Sequence, residues 1–185
     1  MAELDLDDVT RRMQGAVEAL RKDFGGLRTG RASASLLDGV LVPVYGSDMP
    51  LNQLATIGVP EPRLISVQVW DRNNIGAVDK AIRNSGLGLN PATEGATIRV
   101  PIPELTEERR RDLTKVAAQY AEQARIAVRN IRRHAMDELK RLEKSGEMSQ
   151  DDQHLYGDEV QSETDKAIKA IDQALDTKQQ EIMQV

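Results

Sequence analysis

Two hydrophobic periods alternate along this 185-residue chain. Leu6, Val9, Met13, Val17, Leu20, Phe24 and Leu27 recur at three- and four-residue steps, the stripe of an amphipathic helix. Asp5 or Asp7 is placed to cap its start, and Gly30 in "RTGRAS" is expected to end it. About 25 residues at 1.5 Å each make a helix of roughly 37 Å.

The middle of the chain changes period. "LLDGVLVPVYG" combines β-branched residues with a proline and a closing glycine, which predicts a strand and a turn. "LISVQVWD" alternates, with Ile65, Val67 and Val69 on one face and Ser66, Gln68 and Trp70 on the other. Trp70 is expected in the core or as an anchor on the sheet face. "NNIGAVDKAIRNSG" predicts a short helix with Asn74 as its cap, Ile75, Val78 and Ile82 as its apolar face, and Gly86 as its stop. "ATIRVPIPEL" is extended, because Pro101 and Pro103 cannot sit inside a helix.

From Thr106, an N-cap by position, the helical period returns. Leu113, Val116, Tyr120, Ala124, Ala127, Ile131, Ala135, Glu138 or Leu139, and Leu142 mark the expected buried side. "KSGEMS" interrupts it at Gly146, and Ser149 with Asp152 resembles a capping box that uses Asp in place of Glu. A third helix follows on Val160, Thr164, Ala167, Ile168, Ile171, Leu175 and Ile182. The short break makes the last two helices an antiparallel pair, which the first completes into a three-helix bundle. The fold class is α+β. Residues 1–30 and 105–185 form the long bundle, and 31–104 form a small inserted β/α/β domain. The two joining passages contain Thr29, Gly30 and Arg31 on one side and Pro101, Pro103 and Glu104 on the other. They read equally as a rigid corner and as a hinge.

Composition narrows the function. Aromatic residues are only 3% of the chain, so the core must be aliphatic. Cysteine is absent, which removes disulfides, thiol nucleophiles and thiolate metal sites. His134 and His154 are too few for a His-rich metal centre. The start, "MAELDLDDVTRRM", is acidic and lacks the apolar segment of a signal peptide, and no apolar run approaches the ~20 residues of a membrane helix. A cytoplasmic protein without metal or cofactor is expected. "GLGLNPATEG" follows a helix and lacks dinucleotide-fingerprint spacing, and there is no "GxxxxGK[ST]" loop. Asp7/Asp8 and Asp151/Asp152 sit at helix starts, where capping accounts for them. No acid, base and nucleophile set emerges, so the chain is read as a non-enzyme.

The charge distribution is uneven. The net charge is −5, yet residues 109–133 hold eight basic and two acidic side chains. Residues 134–185 hold six and thirteen. In "ARIAVRNIRRHA", with Ile131 as the centre of the buried face, Arg125, Arg129, Arg132 and Arg133 fall about 100° to 200° round the helix. Glu122 lies three residues before Arg125 and Asp137 four after Arg133, but Arg129 and Arg132 have no acid three or four positions away. Two readings stay open. One is a solvated face paired with acids on a neighbouring helix. The other is a row that binds phosphates, since the planar guanidinium fork matches phosphate oxygens. With so few aromatics, that row would read the shape of folded RNA with strong salt dependence. An adaptor that binds an acidic protein through the same stripe is the alternative.

"LRTGRAS" followed by "LLDGV", "GLGLNP", "IRVPIPELTEERR" and "QARIAVRNIRR" closely resembles the ribosome recycling factor family, in order and over essentially the whole chain. The resemblance implies an L-shaped pair of domains and a monomer that binds the bacterial ribosome after termination. Such a factor acts with elongation factor G and GTP to split the subunits, freeing mRNA and tRNA for a new round. Its bundle would lie on large-subunit ribosomal RNA, and its small domain would swing about the hinge to meet the translocase. Carried over by position, RNA contacts fall on Arg110, Arg129 and Arg132, while Arg28 and Arg31 flank the hinge at Gly30. Arg125 and Arg133 join the set from the stripe geometry.

Overall fold

The computed structural model describes residues 3–27 and 30–184. Arg28 and Thr29 therefore lie outside the described residues. The architecture is α+β, and the chain divides into two compact units, one holding the chain up to Leu27 and Arg110–Gln184, the other the intervening residues to Arg109.

The first unit is built from α1 (Leu6–Gly25), α3 (Glu107–Lys144) and α4 (Gln150–Met183). Asp5 caps α1, its carboxylate accepting from the Asp8 amide at 3.0 Å. The helix stops at Gly25, five residues before the expected Gly30, with Gly26 as its C-cap. Adjacent glycines carry the highest conformational cost of any residue short of proline in a helix, so the pair ends it first. Val9, Met13, Val17, Leu20 and Phe24 are buried as expected, and Leu27 falls beyond the helix.

Thr106 accepts from the Arg109 amide at 3.1 Å, and Ser149 accepts from the Asp152 amide at 3.1 Å, so both caps stand where the sequence puts them. At the end of α3, Gly146 takes φ +77°. Its amide reaches the Glu143 carbonyl and the Glu147 amide reaches the Leu142 carbonyl, each at 3.0 Å, which is the Schellman arrangement. The buried stripe of α3 is Leu113, Ala117, Ala121, Ala124, Val128, Ile131, Ala135, Leu139 and Leu142. Val116, Tyr120 and Ala127, expected inside, are only half-buried. The buried stripe instead runs through Ala117, Ala121 and Val128, which keep the three- and four-residue helical step from Leu113 to Ile131.

Four contacts tie α3 to α4 in one antiparallel register: Arg110 to the Met183 carbonyl, Gln179 to the Thr114 carbonyl, Arg125 to Asp172 and Arg132 to Gln161. Each step toward the end of α3 is matched by a step toward the start of α4. Thr164 of α4 is buried, gives its hydroxyl to the Val160 carbonyl at 2.8 Å, and lies 4.0 Å from the Met13 sulfur of α1.

Among the described residues, the second unit carries two sheets and one α-helix, with short 3-10 turns between them. β1 (Leu41–Val44) and β2 (Ser47–Pro50) form an antiparallel hairpin across Tyr45 and Gly46. Both turn residues have positive φ, 53° and 78°, as a two-residue hairpin turn of the primed type requires. The larger sheet has the order β3-β4-β6-β5, all neighbours antiparallel, from β3 (Ala55–Glu61), β4 (Leu64–Val69), β5 (Ala92–Glu94) and β6 (Thr97–Pro101). α2 (Ile75–Arg83) buries Val78 and Ile82. Ile65, Val67 and Val69 point into the same core as those two residues, as their alternation predicts.

One expectation fails here, and another is met in the second of its two forms. Asn74 makes no cap bond to α2. Asp71 caps the preceding 3-10 turn by accepting from the Asn73 amide at 3.0 Å, and Asn74 turns its amide inward to the Tyr45 hydroxyl at 3.0 Å. Trp70 takes the sheet-face place and not the core: it is 62% exposed and anchored by its indole N–H to Thr56 Oγ1 at 2.9 Å. It shares the parity of Ser66 and Gln68, so alternation sends it to the outer face once Val69 is inside.

Candidate nucleic-acid interface

The arginines of α3 are set by the helix that carries them and by α4 beside it. Arg125 is 19% exposed at its side chain. Its Nε and Nη2 both donate to Asp172 Oδ1, at 3.0 and 2.7 Å, and its Nη1 donates to Glu122 Oε2 at 3.1 Å. Asp172 and then Glu122 raise the basicity of this guanidinium against the opposing effect of burial. Each of its three nitrogens thus has a carboxylate partner.

Arg129 is exposed and donates Nη1 to the other Glu122 oxygen at 3.2 Å. Among the described residues its Nε and Nη2 have no partner. Arg132 is half-buried, with Nε on Gln161 Oε1 at 2.7 Å; Gln161 in turn donates to Asp165 Oδ1 at 2.9 Å. That leaves both Nη groups of Arg132 open. Arg133 is exposed and has no hydrogen-bond or ion-pair partner among the described residues.

Arg110 sits apart from this group. It is half-buried, with Nη1 3.4 Å from the Met183 carbonyl and a buried Nε that has no hydrogen-bond partner. The cation thus faces the negative end of the α4 dipole. Arg31 is exposed in the second unit. Gly30 takes φ +62°, a left-handed conformation that favours glycine. Pro101 lies inside β6, opposite Leu64. The Ile102 amide that follows donates to the Arg63 carbonyl at 2.8 Å, and Glu104 pairs with Arg63.

The stripe therefore divides by rotation. Arg125 and Arg132 flank the buried face and are held by α4, while Arg129 and Arg133 stand further out. Both sequence readings stay open on this surface: acids neutralise Arg125 and touch Arg129, and guanidinium groups without a partner among the described residues remain on Arg129, Arg132 and Arg133.

Three contributors escape a reading of neighbours alone. Glu122 reaches Arg129 seven residues away, two turns and about 10 Å along the axis, which two long side chains can span. A seven-residue search of the helix would have found it. Asp172 and Gln161 belong to another helix, and only the inter-helix register reveals them.

Among the described residues, no group of three or more His, Asp or Glu side chains could hold a metal ion. No described helix is long and apolar enough to cross a membrane.

Comparisons with known proteins place this geometry in a lineage. Residues 20–183 match the family described as ribosome recycling factor. The chain is 65% identical over 185 residues to the ribosome-recycling factor of Rhodospirillum centenum, covering 100% of both chains. It is 62% identical over 181 residues to that of Parvibaculum lavamentivorans, covering 98% of this chain and 97% of the relative. A solution structure of the ribosome recycling factor superposes with a TM-score of 0.78 at 41% identity, over 100% of both chains. A second similar structure is described as models for the T. thermophilus ribosome recycling factor and the E. coli elongation factor G bound to the E. coli post-termination complex. It gives a TM-score of 0.65 at 46% identity over 98% of this chain and 100% of that one. The chain belongs to the ribosome recycling factor family.

Proposed function

We propose that this chain recycles ribosomes by anchoring its helical unit on large-subunit ribosomal RNA while elongation factor G, using GTP, acts on the small unit to part the subunits. The observation that carries the reading is the arginine row of α3. In a chain of net charge −5 it keeps the outer edge of Arg129, both Nη groups of Arg132 and all of Arg133 open. Such edges match phosphate oxygens in pairs, and a rigid helix fixes their spacing. Arg129, Arg132 and Arg133 are the direct contacts in this scheme. Arg125 shares the face and shapes it, Arg110 extends it toward the start of α3, and Arg28 and Arg31 add contacts near the joining passages.

The mechanism is mechanical. The chain makes and breaks no bond, needs no cofactor, and works as a cytoplasmic monomer, with the partner's GTP as the energy source. The joining passages, Thr29, Gly30 and Arg31 with Pro101, Pro103 and Glu104, serve as the hinge. The left-handed Gly30 supports a pivot on the first passage. On the second, Pro101 is paired with Leu64 and Glu104 with Arg63, which favours a bend at the Glu104 end of the passage.

The test is subunit splitting of purified post-termination ribosomes with elongation factor G and GTP. The wild-type chain is expected to split them, and a crosslink locking the two units is expected to bind without splitting. Full splitting by the crosslinked form removes the hinge; no splitting by the wild type removes the function.

A further inference from the structure

Glu122 is an acid set into a basic row. Each cation on a phosphate-binding face adds affinity for any polyanion, and an acid among them subtracts from it. Glu122 nevertheless stands one turn before Arg125 and two before Arg129, with one carboxylate oxygen on each, at 3.1 and 3.2 Å. Hydrogen bonds from Arg125 and then Arg129 hold its carboxyl below the ordinary range, so it stays charged at neutral pH.

The two arginines are not equivalent. Arg125 has a carboxylate on every nitrogen, from Asp172 and Glu122, and is fixed against α4. Arg129 gives up only Nη1. Arg125 is thus a post that orients Glu122, and Glu122 orients Arg129, leaving the Nε and Nη2 edge facing outward. Arg132 offers the contrast, because the group that touches it, Gln161, is a neutral amide. One arginine of the row is clamped by a charge and the next by a dipole.

We propose that Glu122 is a positioning and selectivity residue: it holds Arg129 in one rotamer, with one edge open, so that the row accepts phosphates placed to meet that edge and disfavours other polyanions. This rests on the reading of the row as an RNA-binding face. A phosphate arriving at the open edge takes a two-point contact. One arriving from the Nη1 side meets the carboxylate, which already holds one of that nitrogen's two N–H groups and repels the phosphate charge.

Glu122→Gln removes the charge while keeping the side-chain volume and one acceptor. Binding is measured to purified large ribosomal subunits and to a generic RNA duplex across a salt series, with and without Arg129→Ala. Glu122→Gln is expected to bind the duplex about two- to fivefold tighter, with a salt slope steeper by up to about one counterion. Its affinity for the subunit does not rise, so the preference for the subunit falls. In the Arg129→Ala background the Glu122→Gln effect shrinks, because the acid acts through that arginine. An unchanged preference in Glu122→Gln, where Arg129→Ala does weaken subunit binding, overturns the selectivity role and leaves the row intact. A Glu122→Gln gain undiminished by Arg129→Ala overturns the positioning role. If Arg129→Ala itself binds subunits normally, the reading of the row fails, and this inference with it.

Discussion

Arg125 of α3 and Asp172 of α4 are joined twice through a single oxygen, Nε and Nη2 donating to Oδ1 at 3.0 and 2.7 Å. The pair locks the facing register of the two longest helices in the chain. Asp172 is half exposed, so solvent screens much of the attraction, and the packed stem of Arg125 carries a good part of the effect. Arg125→Ala is expected to lower stability by about 1 kcal/mol, and Asp172→Asn by less. Urea unfolding reads this as a lower midpoint with an unchanged slope. A wild-type midpoint in Arg125→Ala would mean that the register is held elsewhere.

Tyr45 fastens the hairpin turn of the small unit to the segment after β4. Its hydroxyl donates to Asp71 Oδ2 at 2.8 Å and accepts from Asn74 Nδ2 at 3.0 Å. Asn74 is buried, so Tyr45→Phe strands its amide, at a cost of about 1–2 kcal/mol. Trp70, the one tryptophan, lies in this unit and reports its unfolding by fluorescence. The expected result is an earlier Trp70 transition; an unmoved one would show that water satisfies Asn74 equally well.

Glu122 gives a pH prediction with a definite sign. Its folded carboxyl lies below its ordinary range because Arg125, then Arg129, bonds the charged form. A depressed carboxyl contributes stability that is present above its unfolded value and is lost as pH falls through its folded value. The stability difference between the wild type and Glu122→Gln should therefore be full at neutral pH. It should decline only below the ordinary glutamate range, and vanish in stronger acid. Urea midpoints of both proteins at descending pH check this. A difference that stays constant into acid would contradict the ion-pair account.

Most of the fold was legible because local chemistry decides it. Thr106 and Ser149 cap, Gly146 stops a helix, and Ile65, Val67 and Val69 alternate into a core, each for reasons contained in a few residues. What the sequence misplaced depends on packing or on competition between neighbours. The Gly25–Gly26 pair ended α1 before Gly30 was reached. Asp71 and Tyr45 drew Asn74 away from its cap. The α3 face turned toward Ala117, Ala121 and Val128, leaving Val116 and Tyr120 half-buried, because the positions of neighbouring helices decide which side of α3 is covered. The arginine row was half legible. Its position on α3 followed from the helical period, but the division into held and open guanidinium groups depends on Asp172 and Gln161, which no scan along α3 can see.

The central claim is that the open edges of Arg129 and Arg132 hold this chain on ribosomal RNA. Equilibrium binding to purified large subunits over a salt series, for wild type, Arg129→Ala, Arg132→Ala and the double variant, tests it most directly. Each single change is expected to weaken binding about tenfold and to reduce the salt slope by about one, with helix content unchanged. The double variant should lose more than either. Wild-type affinity and an unchanged salt slope in the double variant would contradict the account and leave the row a solvated helical face.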